Sequence, residues 1–323
     1  MLARVANSLF WTGRYIERSE HLARYLKVQY FSILDAPMSQ NKDFILKSIL
    51  TMYGIGFDTE KPVDEQEALV KLGMDSANPS SILSTVFAAR ENARSVRYTI
   101  TSELWEVINQ YYLFVKEYPV DFYKTRGLFD FTINIAKHCA MVKSLLDHTL
   151  IHDDIWIFIK LGMHVERSMQ IIRILTSKIH DIEVVTDNGL NFPLRQYQWT
   201  ITLKVLEAFD MHRRVNKTAH TQTSTFEFLI SHPQFPRSLA FNIQQVHSLI
   251  SRLSFSKNEN DPIVVAAAAL STYFQHLPLE DIRENLRPFL YESMQKIFDL
   301  NKLIEETYFE VNGEDFSIQE QTQ

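Results

Sequence analysis

The stretch Gly13-Arg14-Tyr15-Ile16-Glu17-Arg18-Ser19-Glu20-His21-Leu22-Ala23-Arg24-Tyr25-Leu26 constrains this chain more than any other, because it occurs twice. It returns as Gly162-Met163-His164-Val165-Glu166-Arg167-Ser168-Met169-Gln170-Ile171-Ile172-Arg173-Ile174-Leu175, with Gly, Glu-Arg-Ser, Arg and Leu in the same order and no gap. A weaker echo sets Arg94-Ser95-Val96-Arg97-Tyr98-Thr99-Ile100 against Arg237-Ser238-Leu239-Ala240-Phe241-Asn242-Ile243 at nearly the same offset. Two echoes in one order predict two related halves, about 1–150 and 151–311, sharing one helical core. A period this long is not that of a solenoid.

Leu2, Val5, Ala6, Leu9, Gly13, Ile16 and Ala23 fall on one stripe at helical spacing. The spacing predicts a helix from Leu2 to about Leu34, with Arg4, Trp11 and Arg18 pointing off the stripe. Asp153-Asp154 opens a second long helix, to about His180, with acids where the helix dipole favours them. Only 8 Gly and 10 Pro punctuate the chain, and 46% of it is hydrophobic. That composition suits long helices better than a many-stranded sheet. The expected fold is therefore all-α: a large helical bundle of two sequence-related halves with long antiparallel helices. It forms a single domain over 1–311, followed by a polar tail at 312–323.

Local signals divide the remainder. A break is expected at Asp35-Ala36-Pro37, a helix end at Gly54-Ile55-Gly56, another at Gly73, and a restart at Asn78-Pro79-Ser80-Ser81. Ser84 to Glu117 reads as continuously helical. Asp187-Asn188-Gly189 is the clearest loop. The helix beginning near Pro193 is expected to run through Glu207 to Arg213-Arg214. Thr218 to Thr225 reads as loop before a short helix over Phe226–Ile230, and Lys257–Asp261 as another loop. Phe235-Pro236-Arg237-Ser238 opens a further helix, and Pro288 is expected to kink the last one.

Composition removes several function classes. A formal net charge of −6 does not advertise nucleic-acid binding. Cys139 is the lone cysteine, so no internal disulfide can form, and a reducing compartment is expected. It reads as a small buried hydrophobe, since His138 beside it faces about 100° away on a helix. Trp105, Trp156 and Trp199 are expected in the core. The longest small-apolar run, Ile263 to Leu270, falls far short of the roughly 20 residues needed to cross a bilayer. Arg14 and Glu17 interrupt any secretory signal. A cytoplasmic protein with no membrane contact is the expectation.

On a helix, Gly13, Glu17 and Arg24 share a face, as do Gly162, Glu166 and Arg173. A mid-helix glycine costs about 1 kcal/mol relative to alanine. Its recurrence suggests close helix approach, or room for something beside the glutamate. Two readings stay open. In one, buried Glu–Arg pairs fix how the two long helices cross. In the other, Glu17, Glu166 and neighbouring arginines line a polar pocket between the copies. Its lining candidates are Glu17, Arg18, Arg24, Arg90, Glu91, Arg94, Glu166, Arg167 and Arg173. A di-metal centre in a helical bundle wants Glu-x-x-His on two helices. Here His21 stands four residues after Glu17, and Met169 stands where Glu166 would need its histidine. No metal or cofactor is therefore expected.

Several separated stretches carry a family resemblance. Met1-Leu2-Ala3-Arg4-Val5-Ala6-Asn7-Ser8-Leu9-Phe10-Trp11 through Glu17-Arg18, Arg90-Glu91-Asn92-Ala93-Arg94-Ser95-Val96-Arg97, Glu103-Leu104-Trp105, Gly162 with Glu166-Arg167, and Phe235-Pro236-Arg237-Ser238 occur in that order. Together they resemble the alpha-E family, an all-helical domain of unknown function with a Glu-Arg motif, over about 1–311. The resemblance implies a bacterial cytoplasmic protein. It also implies a separate protein partner, ATP-grasp-like or transglutaminase-like, in a system acting on peptide-type amide bonds. Two functions follow: a non-catalytic partner or scaffold, or an enzyme or ligand-binding protein whose central Glu/Arg pocket recognises a peptide or carboxylate. The resemblance carries over no catalytic residue.

Overall fold

Residues 3 to 35 form one uninterrupted helix, α1 (Ala3–Asp35), with no proline to end it sooner. In this computed structural model the described residues are 1–35, 42–187, 192–217, 220–253, 260–278, 282 and 285–310. The expected single apolar stripe on α1 is too narrow. Phe10, Leu22, Tyr25 and Leu26 are buried as fully as Leu9 and Ile16, whereas Leu2 is exposed. A helix buried all round lies at the centre of a molecule, and α1 does. It packs against α8 (Asp154–Asp187), α4 (Ile82–Ser95) and α7 (Leu128–Thr149).

α8 starts where the acids predict, with the Asp153 carboxylate accepting from Ile155 N at 2.9 Å. It crosses α1 at the two motif glycines. A Cβ on Gly13 would lie 2.0 Å from the carbonyl oxygen of Ile159, and one on Gly162 would lie 2.0 Å from that of Phe10. The backbones touch there reciprocally, which only two residues without side chains permit. The pair is not antiparallel. Gly13 meets Ile159 and Met163, and further along Tyr25 meets Ser177, so the two helices run in the same direction.

The remaining helices are α2 (Lys42–Met52), α3 (Glu65–Gly73), α5 (Ser102–Glu117), α6 (Val120–Phe122), α9 (Phe192–Val205), α10 (Phe209–Val215), α11 (Gln222–Ser231), α12 (Leu239–Arg252), α13 (Pro262–Gln275) and α14 (Leu286–Tyr308). Among the described residues there is no strand. Two rings close around the central pair. α1 contacts α4, α4 contacts α5, α5 contacts α7, and α7 returns to α1. α8 contacts α12, α12 contacts α13, α13 contacts α14, and α14 returns to α8. Trp105, Trp156 and Trp199 are buried as expected. Among the described residues no helix is long and apolar enough to cross a membrane.

Several boundaries differ from expectation. The run Ser84–Glu117 is broken after Ser95, because Thr101 caps α5, its hydroxyl accepting from Leu104 N at 3.3 Å. The helix expected to pass through Glu207 stops there. Glu207 adopts φ 50°, and Ala208 N bonds back to Leu203 O at 2.8 Å, closing the helix as a C-terminal glycine would. Thr221 and Ser224 cap each other, so α11 begins inside the stretch expected to be loop. Pro288 lies in the first turn of α14, where its missing N–H forfeits no intrahelical bond, so it opens the helix instead of kinking it. The weaker echo has no common structural role: Arg94-Ser95 closes α4, whereas Arg237-Ser238 precedes α12. Asn188-Gly189, most of 257–261 and the tail at 312–323 lie outside the described residues.

Candidate functional site

Four residues beyond each glycine, α1 and α8 each present a glutamate to the seam, and each is answered by the other helix. Arg167 donates from Nε to Glu17 Oε1 at 2.6 Å and from Nη2 to Oε2 at 2.8 Å. Arg18 donates from Nε to Glu166 Oε1 at 2.7 Å and from Nη2 to Oε2 at 2.9 Å. These are reciprocal two-point pairs, the geometry in which a guanidinium holds a carboxylate best. Arg18 therefore does not point away from the seam. It follows Glu17 by one helical step, and α8 lies close enough at the glycines for its long stem to reach.

Both glutamates are sealed, with side-chain exposure of 0%. Glu166 also accepts from Arg14 Nε at 2.9 Å and from Gln170 Nε2 at 2.8 Å. Glu17 is paired with Lys143 at 2.8 Å and bonded to His21 Nε2 at 3.1 Å. Burial alone would raise the Glu17 carboxyl. The Arg167 and Lys143 charges outweigh it and hold the group well below the usual carboxylate range. Glu166 is likewise lowered, burial being overcome first by Arg14 and then by Arg18. Burial takes the His21 imidazole down to about 4 and that of His164, helped by the Arg167 charge, to about 3.

Around Glu17 the network widens. Lys143 also meets Glu20, Arg24 pairs with Glu20 and at 3.0 Å with Glu207, and Arg237 joins Glu20 at 3.2 Å and Glu207. The left-handed turn at Glu207 is what turns its carboxylate toward both arginines. Arg24 thus pairs one turn away with Glu20 and not with Glu17, as its shared face had suggested. Its counterpart Arg173 makes no hydrogen bond or ion pair among the described residues and is exposed.

The structure brings together Glu17, Arg18, Arg24, Glu166 and Arg167. It does not bring Arg90, Glu91 and Arg94 to them. Those three pair with one another on α4, and Arg90 lies over the rings of Trp105 and Tyr112. The sequence reading missed Lys143, Glu207 and Arg237 as partners of the seam. Lys143 and Glu207 carry no motif signal, and only the Phe-Pro-Arg-Ser stretch flagged Arg237. Cys139 is fully buried, and burial pushes its thiol up to about 12, which suits a packing residue and not a nucleophile. Among the described residues no group of three or more His, Cys, Asp or Glu side chains is placed to hold a metal.

Comparison with known proteins bears on this doubled Glu-Arg seam. A family named Alpha-E, described as "a predicted alpha-helical domain with a conserved ER motif", matches residues 1–309. The chain belongs to the Alpha-E family. In this Alpha-E chain the Glu-Arg pair stands at Glu17-Arg18 and again at Glu166-Arg167. An uncharacterized protein of Mycobacterium bovis is 21% identical over 279 residues, which is 80% of this chain and 31% of the relative. An uncharacterized protein of Mycobacterium tuberculosis is 20% identical over the same length and shares. The Alpha-E chain thus spans about a third of the length of the curated relatives it matches. No solved structure matches it.

Proposed function

We propose that this Alpha-E chain is a non-catalytic helical partner for an ATP-grasp-like or transglutaminase-like protein acting on peptide-type amide bonds. The burial of both Glu-Arg motifs carries this reading. Glu17 and Glu166 have no side-chain exposure, and each is held by at least three side chains besides the packing around it. Charges used in this way set the shape of a scaffold. A central Glu/Arg pocket receiving a peptide or carboxylate is not favoured, because neither carboxylate is open to a ligand. The extra length of the mycobacterial relatives fits a domain that works beside other modules.

The test is co-expression of the chain with an ATP-grasp-like protein from the same organism. Co-elution, with a change in that protein's amide-forming rate, is the expected result. A clean monomer that leaves the rate unchanged overturns the proposal.

A further inference from the structure

The two copies of the motif differ at one position with a large consequence. Arg24 is neutralised by Glu20, four residues before it. At the equivalent place before Arg173 stands Met169, a thioether in contact with Arg14. Arg173 is thereby left without an acid, exposed, and free of any hydrogen bond or ion pair among the described residues.

Space adjoins it. A cavity of about 340 Å³ is lined by Arg18, Tyr53, Gly54, Ser80, Gln170 and Arg173, together with Met52. No acidic residue is among them. Two of these residues hold buried polar atoms with no partner: the Tyr53 hydroxyl and Gln170 Oε1. Gln170 is fully buried and its amide nitrogen is fixed on Glu166. Its free oxygen can only accept a hydrogen bond, so the groups that can meet an anion here are Arg173, Arg18 and the Tyr53 hydroxyl. Burial also raises the Tyr53 hydroxyl, which keeps it a neutral donor. Gly54, at φ 66°, ends α2 and brings its backbone to the cavity wall.

A second cavity, of about 480 Å³, shares Met52 and Arg173 with the first. Its exposed wall is mostly apolar, from Met52, Ile172, Leu290, Tyr291 and Met294. Arg287 and Asp181 also line it, the Asp181 carboxylate being taken up by Ser48 at 2.7 Å and Lys178 at 2.6 Å. Unpaired guanidinium and hydroxyl donors at one end and an apolar groove at the other match an amphipathic anion. Volumes of this size are those of small-molecule sites.

We propose that these joined cavities bind an organic oxyanion, its charged head between Arg173 and Arg18 and its apolar body in the groove beside Leu290 and Met294. A carboxylate and a phosphate would both satisfy a guanidinium. The site adjoins the sealed Glu-Arg seam, sharing Arg18 and Gln170 with it, while its free cation is Arg173. It does not depend on a protein partner.

The experiment titrates the full chain, by calorimetry and by the methyl signals of Met52 and Met294, with octanoate, octyl phosphate, inorganic phosphate and 1-octanol. The same titrations are run on Arg173→Leu and Arg173→Glu. Both replace an exposed side chain that makes no bond, so both are expected to fold. Octanoate or octyl phosphate should bind the native chain about tenfold or more tightly than Arg173→Leu, as expected for loss of a charged hydrogen bond. Arg173→Glu should bind neither. Preference for octanoate assigns the head as a carboxylate, and preference for octyl phosphate assigns it as a phosphate. Failure of both to bind, equal binding to the variants, or equally tight binding of 1-octanol overturns the proposal.

Discussion

Glu166 accepts hydrogen bonds from Arg14, Arg18 and Gln170 with no access to water, so its charge depends on its neighbours remaining in place. Glu166→Gln removes the charge and leaves two arginines facing a neutral amide. The expected loss is about 3–5 kcal/mol of unfolding free energy, the range for breaking a buried pair from one side. Urea denaturation measures it, and a loss below about 1 kcal/mol would show the pair to be solvated. The histidines set a pH dependence. An unfolded histidine takes up its proton near 6.5, but folded His21 does so only at about 4. Between those values the unfolded chain holds more protons, so stability falls as pH falls and recovers as it rises. His164 adds a second contribution over a window reaching about 3. Below about 4.3, where an unfolded glutamate takes up its proton, the lowered carboxyls of Glu17 and Glu166 extend the decline. His21→Gln installs the side chain that Gln170 provides in the second copy. It should narrow the difference in unfolding free energy between pH 7 and pH 5, and an unchanged difference would rule out His21 as a contributor.

At the scale of elements, the crossing of α1 and α8 rests on two glycines. In an isolated helix Gly→Ala stabilises by about 1 kcal/mol. Here the added methyl of Gly13→Ala would fall 2.0 Å from the Ile159 carbonyl oxygen, and that of Gly162→Ala as close to Phe10. Backbone cannot turn aside as a side chain can, so the helices must separate and the two-point Glu–Arg pairs lengthen. Each variant should lose about 1–3 kcal/mol, as overpacking does, despite its better helix propensity. Thermal melting decides the sign, and a higher melting temperature for either variant would contradict the close crossing. Glu207 shows a second element-level choice. A left-handed residue without glycine's freedom is strained by about 1–3 kcal/mol, yet the turn delivers a carboxylate to Arg24 and Arg237.

At the scale of the molecule, each central helix closes its own ring of four. The rings meet chiefly where α1 and α8 cross, with further contacts of α1 on α14 and of α7 on α8 and through smaller bridging helices. The polar seam lies at that meeting. Charge buried between two apolar rings penalises alternative registers, because a shift of one residue would leave four ionised groups unpaired. The double variant Glu17→Leu with Arg167→Leu should therefore retain much of the stability that Glu17→Gln alone loses, since no lone charge stays buried. Lys143 would remain able to reach Glu20. Chemical denaturation of the single and double variants separates the two cases, and additive losses would argue against a coupled pair.

The sequence by itself determined the helical class, the two long central helices and the glycine–glutamate spacing that places both carboxylates on facing sides, because helical periodicity and caps are local properties. It also marked Arg18 and Arg167 through their motif, but it misdirected Arg18 by treating α1 as having one buried stripe. Only the tertiary structure decided that the helices run in the same direction, that Glu17 is answered by Arg167 and Glu166 by Arg18, and that Lys143, Glu207 and Arg237 complete the network. Those partners come from distant segments, and no spacing along a chain encodes which distant charge a buried carboxylate will find. The motif marked Arg173 as a candidate, but not that it would stand idle, since its lack of a partner and the adjoining cavity exist only once the chain is packed.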